Sequence, residues 1–185
     1  MKRILTTAAA ALVATAAFAD GQMGKNPMVG GAAMYADKNI VENAVNSADH
    51  TTLVAAVQAA GLVDTLASEG PFTVFAPVNA AFSALPEGTV ESLLMEENKD
   101  QLTKILTCHV VAADVMSEAL VGMIQDDGGV HAIPTVGGCT LNAMVKDGMV
   151  MIEDEQGNTA TVTIADVDQS NGVIHVIDTV LLPAM

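Results

Sequence analysis

Side chains able to do chemistry are few in this sequence. It holds four histidines, His50, His109, His131 and His175, two cysteines, Cys108 and Cys139, and three acidic groups. Nucleophilic catalysis needs a nucleophile, a base and an orienting group within reach of one another. No GxSxG, no HExxH and no glycine-rich phosphate loop is present to announce such a set. His109 and His175 lie among apolar residues and read as satisfied core histidines. His50 reads as a helix-start residue, and His131 as a strand residue with no visible partner. No catalytic residue is therefore expected, and a hydrolytic enzyme is the weakest alternative.

Metal and cofactor chemistry fares little better. Cys108 and Cys139 stand 31 residues apart, a spacing that makes neither a redox CxxC pair nor a zinc knuckle, and haem attachment through CxxCH is absent. The acidic groups Asp126-Asp127, Glu153-Asp154-Glu155 and Asp166-x-Asp168 supply hard oxygen ligands suited to calcium. Their spacing is not that of an EF-hand loop, so solvated hairpin tips are the expectation and calcium binding the rival. Met23, Met28 and Met34 offer thioethers suited to copper(I), against a plain reading as adaptable side chains of a tail. No cofactor is implied, and haem or another small ligand stays an alternative that no spacing requires.

The N-terminus says where such a protein works. Lys2 and Arg3 precede an Ala-rich apolar run, and Ala17-Phe18-Ala19 places small residues at the −3 and −1 positions of a cleavage site. Residues 1–19 are read as a secretory signal peptide, because a spanning helix needs about 20 strongly apolar residues. No cysteine follows the cut, so the chain is expected free in the periplasm or secreted, without a lipid or membrane anchor. Residues 20–36, rich in Gly, Met and Ala, are read as a flexible leader, ordered at most near Tyr35. Over all 185 residues, 22 acidic side chains face 7 basic ones, a formal net charge of −15. That excludes the basic stripe nucleic acid demands and disfavours anionic membranes. Disorder is excluded too, since 51% of residues are hydrophobic and only 16% charged.

Helices dominate the first half. Asn39 to Ala48 places Ile40, Val41, Ala44 and Val45 on one face with Asn39 as cap, and Thr51 or Thr52 caps a run that Gly61 stops. Leu62 to Leu66 adds a turn, and Phe72 to Phe75 is a strand ended by Pro77. Helical pieces follow at Asn79–Leu85, where Asn79 is the expected cap, then at Thr89–Met95, Asn98–Thr107 and Ser117–Ile124, with a short strand at Cys108–Val111. Beyond Gly129 the period shifts towards two. Strands are expected at Val130–Val136, Thr140–Val145, Met149–Glu153, Thr159–Ile164 and Val173–Leu182, the last with both faces apolar and so central. Helices first and an antiparallel meander after predict an α+β domain, in residues 37–185.

Three segments of that domain resemble the fasciclin, or FAS1, family. Gly70 to Phe82, GPFTVFAPVNAAF, is similar to the family's first signature, and Asn171 to Pro183, NGVIHVIDTVLLP, to its second. Cys108-His109-Val110-Val111 stands where the family has a Tyr-His pair. The motif residues are Phe75, Pro77, Asn79, His109, Asn171, His175 and Asp178. The resemblance implies a wedge-shaped antiparallel β-sandwich with a helical layer, and a non-enzymatic module for adhesion to extracellular or envelope protein or polysaccharide. Divalent cations are possible bridges to so acidic a surface. Through animal relatives it also points to the ends of the second signature as partner contacts: Asp168, Ser170 and Asn171, or the neighbourhood of Asp178. Cys108 departs from the family's Tyr. In an exported chain, with both cysteines read at the ends of neighbouring strands, a Cys108–Cys139 disulfide is the expectation and two buried thiols the alternative. Such a bond would stabilise by about 3–4 kcal/mol.

Overall fold

The computed structural model describes residues 26–184, so the segment read as a signal peptide and the first residues of the one read as a leader, Met23 among them, lie outside the described residues. The leader's second half is not the flexible segment expected. β1 (Met28–Val29) and β2 (Ala32–Ala33) pair as a small antiparallel hairpin, and Val29 and Met34 are buried in the main core. Isolated apolar residues without a period gave no sign of this, because their burial is set by the helices they meet.

α1 (Ile40–Ala44) carries the expected Asn39 cap as a full capping box: Glu42 N–H donates to Asn39 Oδ1 at 2.9 Å and Asn39 N–H to Glu42 Oε2 at 3.0 Å. It ends four residues early, where the Asn46 side chain donates back to the Glu42 carbonyl. α2 (Thr51–Ala60) ends at Gly61, in the left-handed conformation. Its N-terminus is capped from elsewhere. Asn79 Oδ1 accepts from the Thr52 amide at 3.0 Å while its Nδ2 donates to the Ala48 carbonyl at 2.8 Å. Asn79 therefore does not cap its own helix α4, which follows α3 (Val63–Ala67) and spans Asn79–Ser83 with Val78 at the cap position. Asn79→Ala should lower stability by about 1 kcal/mol, read as a shift in denaturant midpoint. An unchanged midpoint would show that water replaces this cap at no cost.

The rest of the helical half is α5 (Thr89–Leu93), α6 (Lys99–Thr107) and α7 (Ser117–Asp126). Strands β3 (Phe72–Pro77), β4 (Val110–Val111), β5 (Val130–Pro134), β6 (Thr140–Lys146), β7 (Met149–Glu153), β8 (Thr159–Gln169) and β9 (Gly172–Ile177) form one sheet in the order β4-β3-β9-β8-β7-β6-β5. From β5 to β9 it is the expected antiparallel meander. One pair departs from that pattern, since β3 runs parallel to β9 with Phe72 opposite Gly172 and Phe75 opposite His175. β3 arrives from the helical half rather than through a hairpin, so nothing obliges it to run antiparallel.

β8 is five residues longer than expected. It pairs with β7 through Thr159–Thr161 and with β9 through Val162–Gln169, with two register shifts and Asp166 at φ 56°. Such irregularities bend a strand, and β8 turns the sheet back on itself. The two ends of the sheet then meet: Val136 N–H donates to the Val110 carbonyl at 2.8 Å and Gly137 N–H to the Thr107 carbonyl at 3.0 Å. One core lies between the helices and the outer face of β3 and β9, with Leu53, Val57, Leu106, Ile174 and Val176. A second fills the folded sheet, with Phe75, Leu141, Ile152, Ile177 and Leu181. β9 sits between β3 and β8 and is covered on both faces, as its two apolar faces require.

Cys108 and Cys139 are joined, with Cα atoms 5.4 Å apart. Their positions differ from those expected. Cys108 caps the end of α6 and Cys139 immediately precedes β6, so the bond links the two ends of the sheet rather than neighbouring strands.

Candidate functional site

The two signatures meet at one end of β3 and β9. Their backbones press together where Gly70 and Gly172 leave no room for a side chain: a Cβ on Gly70 would stand 1.9 Å from the Asn171 carbonyl oxygen, and one on Gly172 1.9 Å from that of Phe72. Gly172 also holds φ +154°, which disfavours any other residue. Asn171 is buried and fully engaged. Its Oδ1 accepts from Ile40 N–H at 3.0 Å, and its Nδ2 donates to the Leu66 and Ser68 carbonyls at 2.7 and 2.8 Å. One side chain thus fastens α1 and α3 to the sheet.

Beside this clasp lies an open polar groove of about 560 Å³, lined by Asn39, Ser68, Glu69, Asp114, Gln169 and Ser170 among others. Its lining carries two carboxylates and no basic side chain. Of the residues expected to contact a partner, Ser170 is exposed in the groove, its amide donating to the Lys38 carbonyl at 2.9 Å, and Asp168 is exposed on β8 nearby. Asn171 lines the groove but spends its polar atoms inside the fold. Asp178 lies at the far end of β9, where its carboxylate accepts from the Thr161 amide at 2.8 Å. The second signature's two ends are therefore separate places.

Phe75, Pro77, His109 and His175 are interior. Phe75 is wholly buried and stacks on His175 with ring centroids 5.7 Å apart, and Pro77 closes β3 opposite Ile177. His175 donates from Nε2 to the Val115 carbonyl at 2.7 Å and accepts on Nδ1 from Asp166 N–H at 3.3 Å. His109 donates from Nδ1 to the Ile105 carbonyl at 2.8 Å and accepts on Nε2 from Leu181 N–H at 2.9 Å. His50 is likewise buried, between the Ser47 hydroxyl and the Ala76 carbonyl. Burial pushes all three rings towards the neutral form, His109 down to about 4. With both nitrogens engaged, none has a lone pair free for a metal or a substrate. His131, read as unpartnered, in fact sits 2.5 Å from the Asp127 carboxylate one helical end away.

Of the acidic residues expected at solvated tips, with calcium binding as the rival, Asp154, Glu155 and Asp166 accept from backbone amides. Asp154 is buried and accepts from the amides of Gln156, Asn158 and Leu182 and from the Asn158 side chain. Glu155 accepts from Thr140 and Ala184. Asp166 caps α7, accepting from the amide and hydroxyl of Ser117. Among the described residues no three His, Cys, Asp or Glu side chains gather as a metal would need. No helix among them is long and apolar enough to cross a membrane.

Known proteins are similar to this chain. A family model for the fasciclin domain matches residues 48–183. The protein sll1483 of Synechocystis sp. is 52% identical over 161 residues, spanning 87% of this chain and 82% of that protein. Immunogenic protein MPB70 of Mycobacterium bovis is 39% identical over 145 residues, 76% of this chain and 66% of its own. Transforming growth factor-beta-induced protein ig-h3 of Sus scrofa is 38% identical over 131 residues, covering 71% of this chain and 17% of that larger protein. Among solved structures, a FAS1 domain pair from the insect cell adhesion molecule fasciclin I superposes with a TM-score of 0.70 at 20% identity, over 78% of this chain and 51% of that one. The two signatures, lying side by side as β3 and β9 of an α+β domain that the family model spans nearly end to end, make this chain a member of the fasciclin (FAS1) family.

Proposed function

We propose that the protein is an exported, non-enzymatic binding module of adhesion type, which holds an envelope or extracellular protein or polysaccharide at the groove beside Asn171. The observation that carries this reading is the groove itself: open, polar, walled by Glu69 and Asp114, and without a basic side chain. Such a surface suits a basic or neutral hydrogen-bonding partner. The insect neighbour is named as a cell adhesion molecule, which supports the same class of role here. Export is supported by the Lys2-Arg3 start, the apolar run to Ala19 and a disulfide that an oxidising compartment preserves.

The test is retention of the purified domain on envelope fractions of the producing cell, compared with Glu69→Gln/Asp114→Asn. The wild type should bind saturably and lose affinity with added salt, and the double variant should associate several-fold more slowly with a shallower salt dependence. No saturable retention removes the adhesion reading. Equal binding by the double variant moves the contact away from this groove.

A further inference from the structure

Past Ile177 the chain leaves the sheet and runs as a strap along both cores, with Val180 buried in the first at 3% exposure and Leu181 in the second at 0%. Its hydrogen bonding is unlike that of any strand in the fold. Leu181 N–H donates to His109 Nε2 at 2.9 Å, Leu182 N–H to Asp154 Oδ2 at 2.8 Å and Ala184 N–H to Glu155 Oε2 at 2.8 Å. Pro183 has no amide hydrogen. Every amide hydrogen of residues 181–184 therefore goes to a titratable side chain, and each of these acceptors works only in its deprotonated form at the bonded atom.

We propose that residues 180–184 form an acid-opened latch, released when protons occupy the side-chain acceptors His109 and Glu155, with the Asp154 carboxylate as a third anchor of the strap. Protonation turns an imidazole nitrogen from acceptor into donor, so the Leu181 amide then faces another N–H across a buried contact. An unmade bond in that position is destabilising, whereas the made bond contributes modestly. The Glu155 carboxyl group, on gaining a proton, likewise loses acceptor strength towards Ala184. The direction for His109 agrees, since burial already holds its ring neutral. Glu155, whose proton affinity is lowered first by the Ala184 and Thr140 amides, favours the charged form that holds the latch.

The other groups facing the strap do not oppose this. Lys104 of α6 reaches the Ala184 carbonyl at 3.5 Å and keeps its charge under acid. Gln156 donates to the Pro183 carbonyl at 2.8 Å and does not titrate. Asp178, at the strap's start, is turned away from these acceptors and holds the Thr161 amide and the Thr179 hydroxyl. Glu155 also accepts from Thr140, the residue after Cys139, so its protonation frees the β6 entry together with the tail. Leu181 belongs to the core cluster of Phe75 and Val111, and the latch, once open, uncovers an apolar slot there. The disulfide meanwhile keeps the two ends of the sheet together.

Amide hydrogen exchange on the intact domain at pH 7 and pH 3.5, corrected for intrinsic exchange rates, tests this directly. Protection at Leu181, Leu182 and Ala184 should fall at least about tenfold relative to Ile174 and Val176 of β9, a differential of about 1.4 kcal/mol or more. In His109→Gln the acid step at Leu181 should vanish, because an amide oxygen accepts without titrating. Should that variant fail to fold, Glu155→Gln at an exposed site removes the step at Ala184, whether the new side chain keeps that bond or loses it. The latch is overturned if strap and β9 lose protection in parallel, if the strap stays protected at pH 3.5, or if the steps persist in the variants.

Discussion

Replacing Cys108 and Cys139 together with alanine should lower stability by about 3–4 kcal/mol, measured as a drop in the guanidinium midpoint. The bond closes a loop across a separation of 31 residues, and opening it returns that loop's freedom to the unfolded chain. For a domain whose whole margin is about 5–15 kcal/mol, this is a large fraction. The native side adds to the effect. Both cysteines are buried, and the bond fastens the end of α6 and the neighbouring β4 to the turn before β6, where the backbone hydrogen bonds from Val136 and Gly137 also join the ends of the sheet. The denaturant slope should rise as well, because the unlinked unfolded chain exposes more surface. Reductant acting on the wild type should reproduce the shift without any mutation. Two thiols open to alkylation in the unreduced protein, or a midpoint indifferent to reductant, would refute the prediction.

Much of this architecture was legible because local pattern and tertiary demand coincide. β7 falls where alternation between Met149 and Glu153 placed it, and the two apolar faces of β9 foretold a central strand. Where the structure departs from expectation, a distant group has overruled the local signal. Asn79 looks like the cap of its own helix, yet its side chain reaches α2, and nothing near residue 79 in sequence reveals that partner. β8 continues through Asp166 and Asp168, which read as loop, because its bulges break the alternation that identifies a strand. β9 stops at Ile177 although Val180, Leu181 and Leu182 continue the apolar run, since Val180 and Leu181 are buried by packing within the strap and not by pairing. Asp154 resembled a solvated hairpin tip, and its burial follows from a tail 28 residues further on. The Asn171 clasp was visible only as a signature residue. Its three partners lie in α1 and around the end of α3, more than 100 positions away.

Acidification from pH 6.5 to about 4 should cost about 3 kcal/mol of stability through His109 alone. Burial is the largest influence on this ring. It outweighs the Ile105 carbonyl and the charge of Asp154, both of which favour the proton, and brings the ring from the ordinary value of 6.5 to about 4. Between those two values the unfolded chain binds a proton that the folded one refuses, so stability rises with pH there. The contribution is complete above pH 6.5, is lost as pH falls through the window, and changes no further once both states are protonated. His50 and His175 are shifted the same way by burial and steepen the same decline. Glu155 acts in the same direction from a lower starting point, since its folded form resists protonation below the ordinary glutamate value of 4.5. Denaturant melts at pH 7, 5.5 and 4 measure the total, and His109→Gln isolates one ring by flattening its share of the slope. Stability that stays level between pH 6.5 and 4.5 would mean that His109 finds solvent or a new acceptor in the folded state. In that case the Leu181 contact, and with it the sealed second core, would already be open at neutral pH.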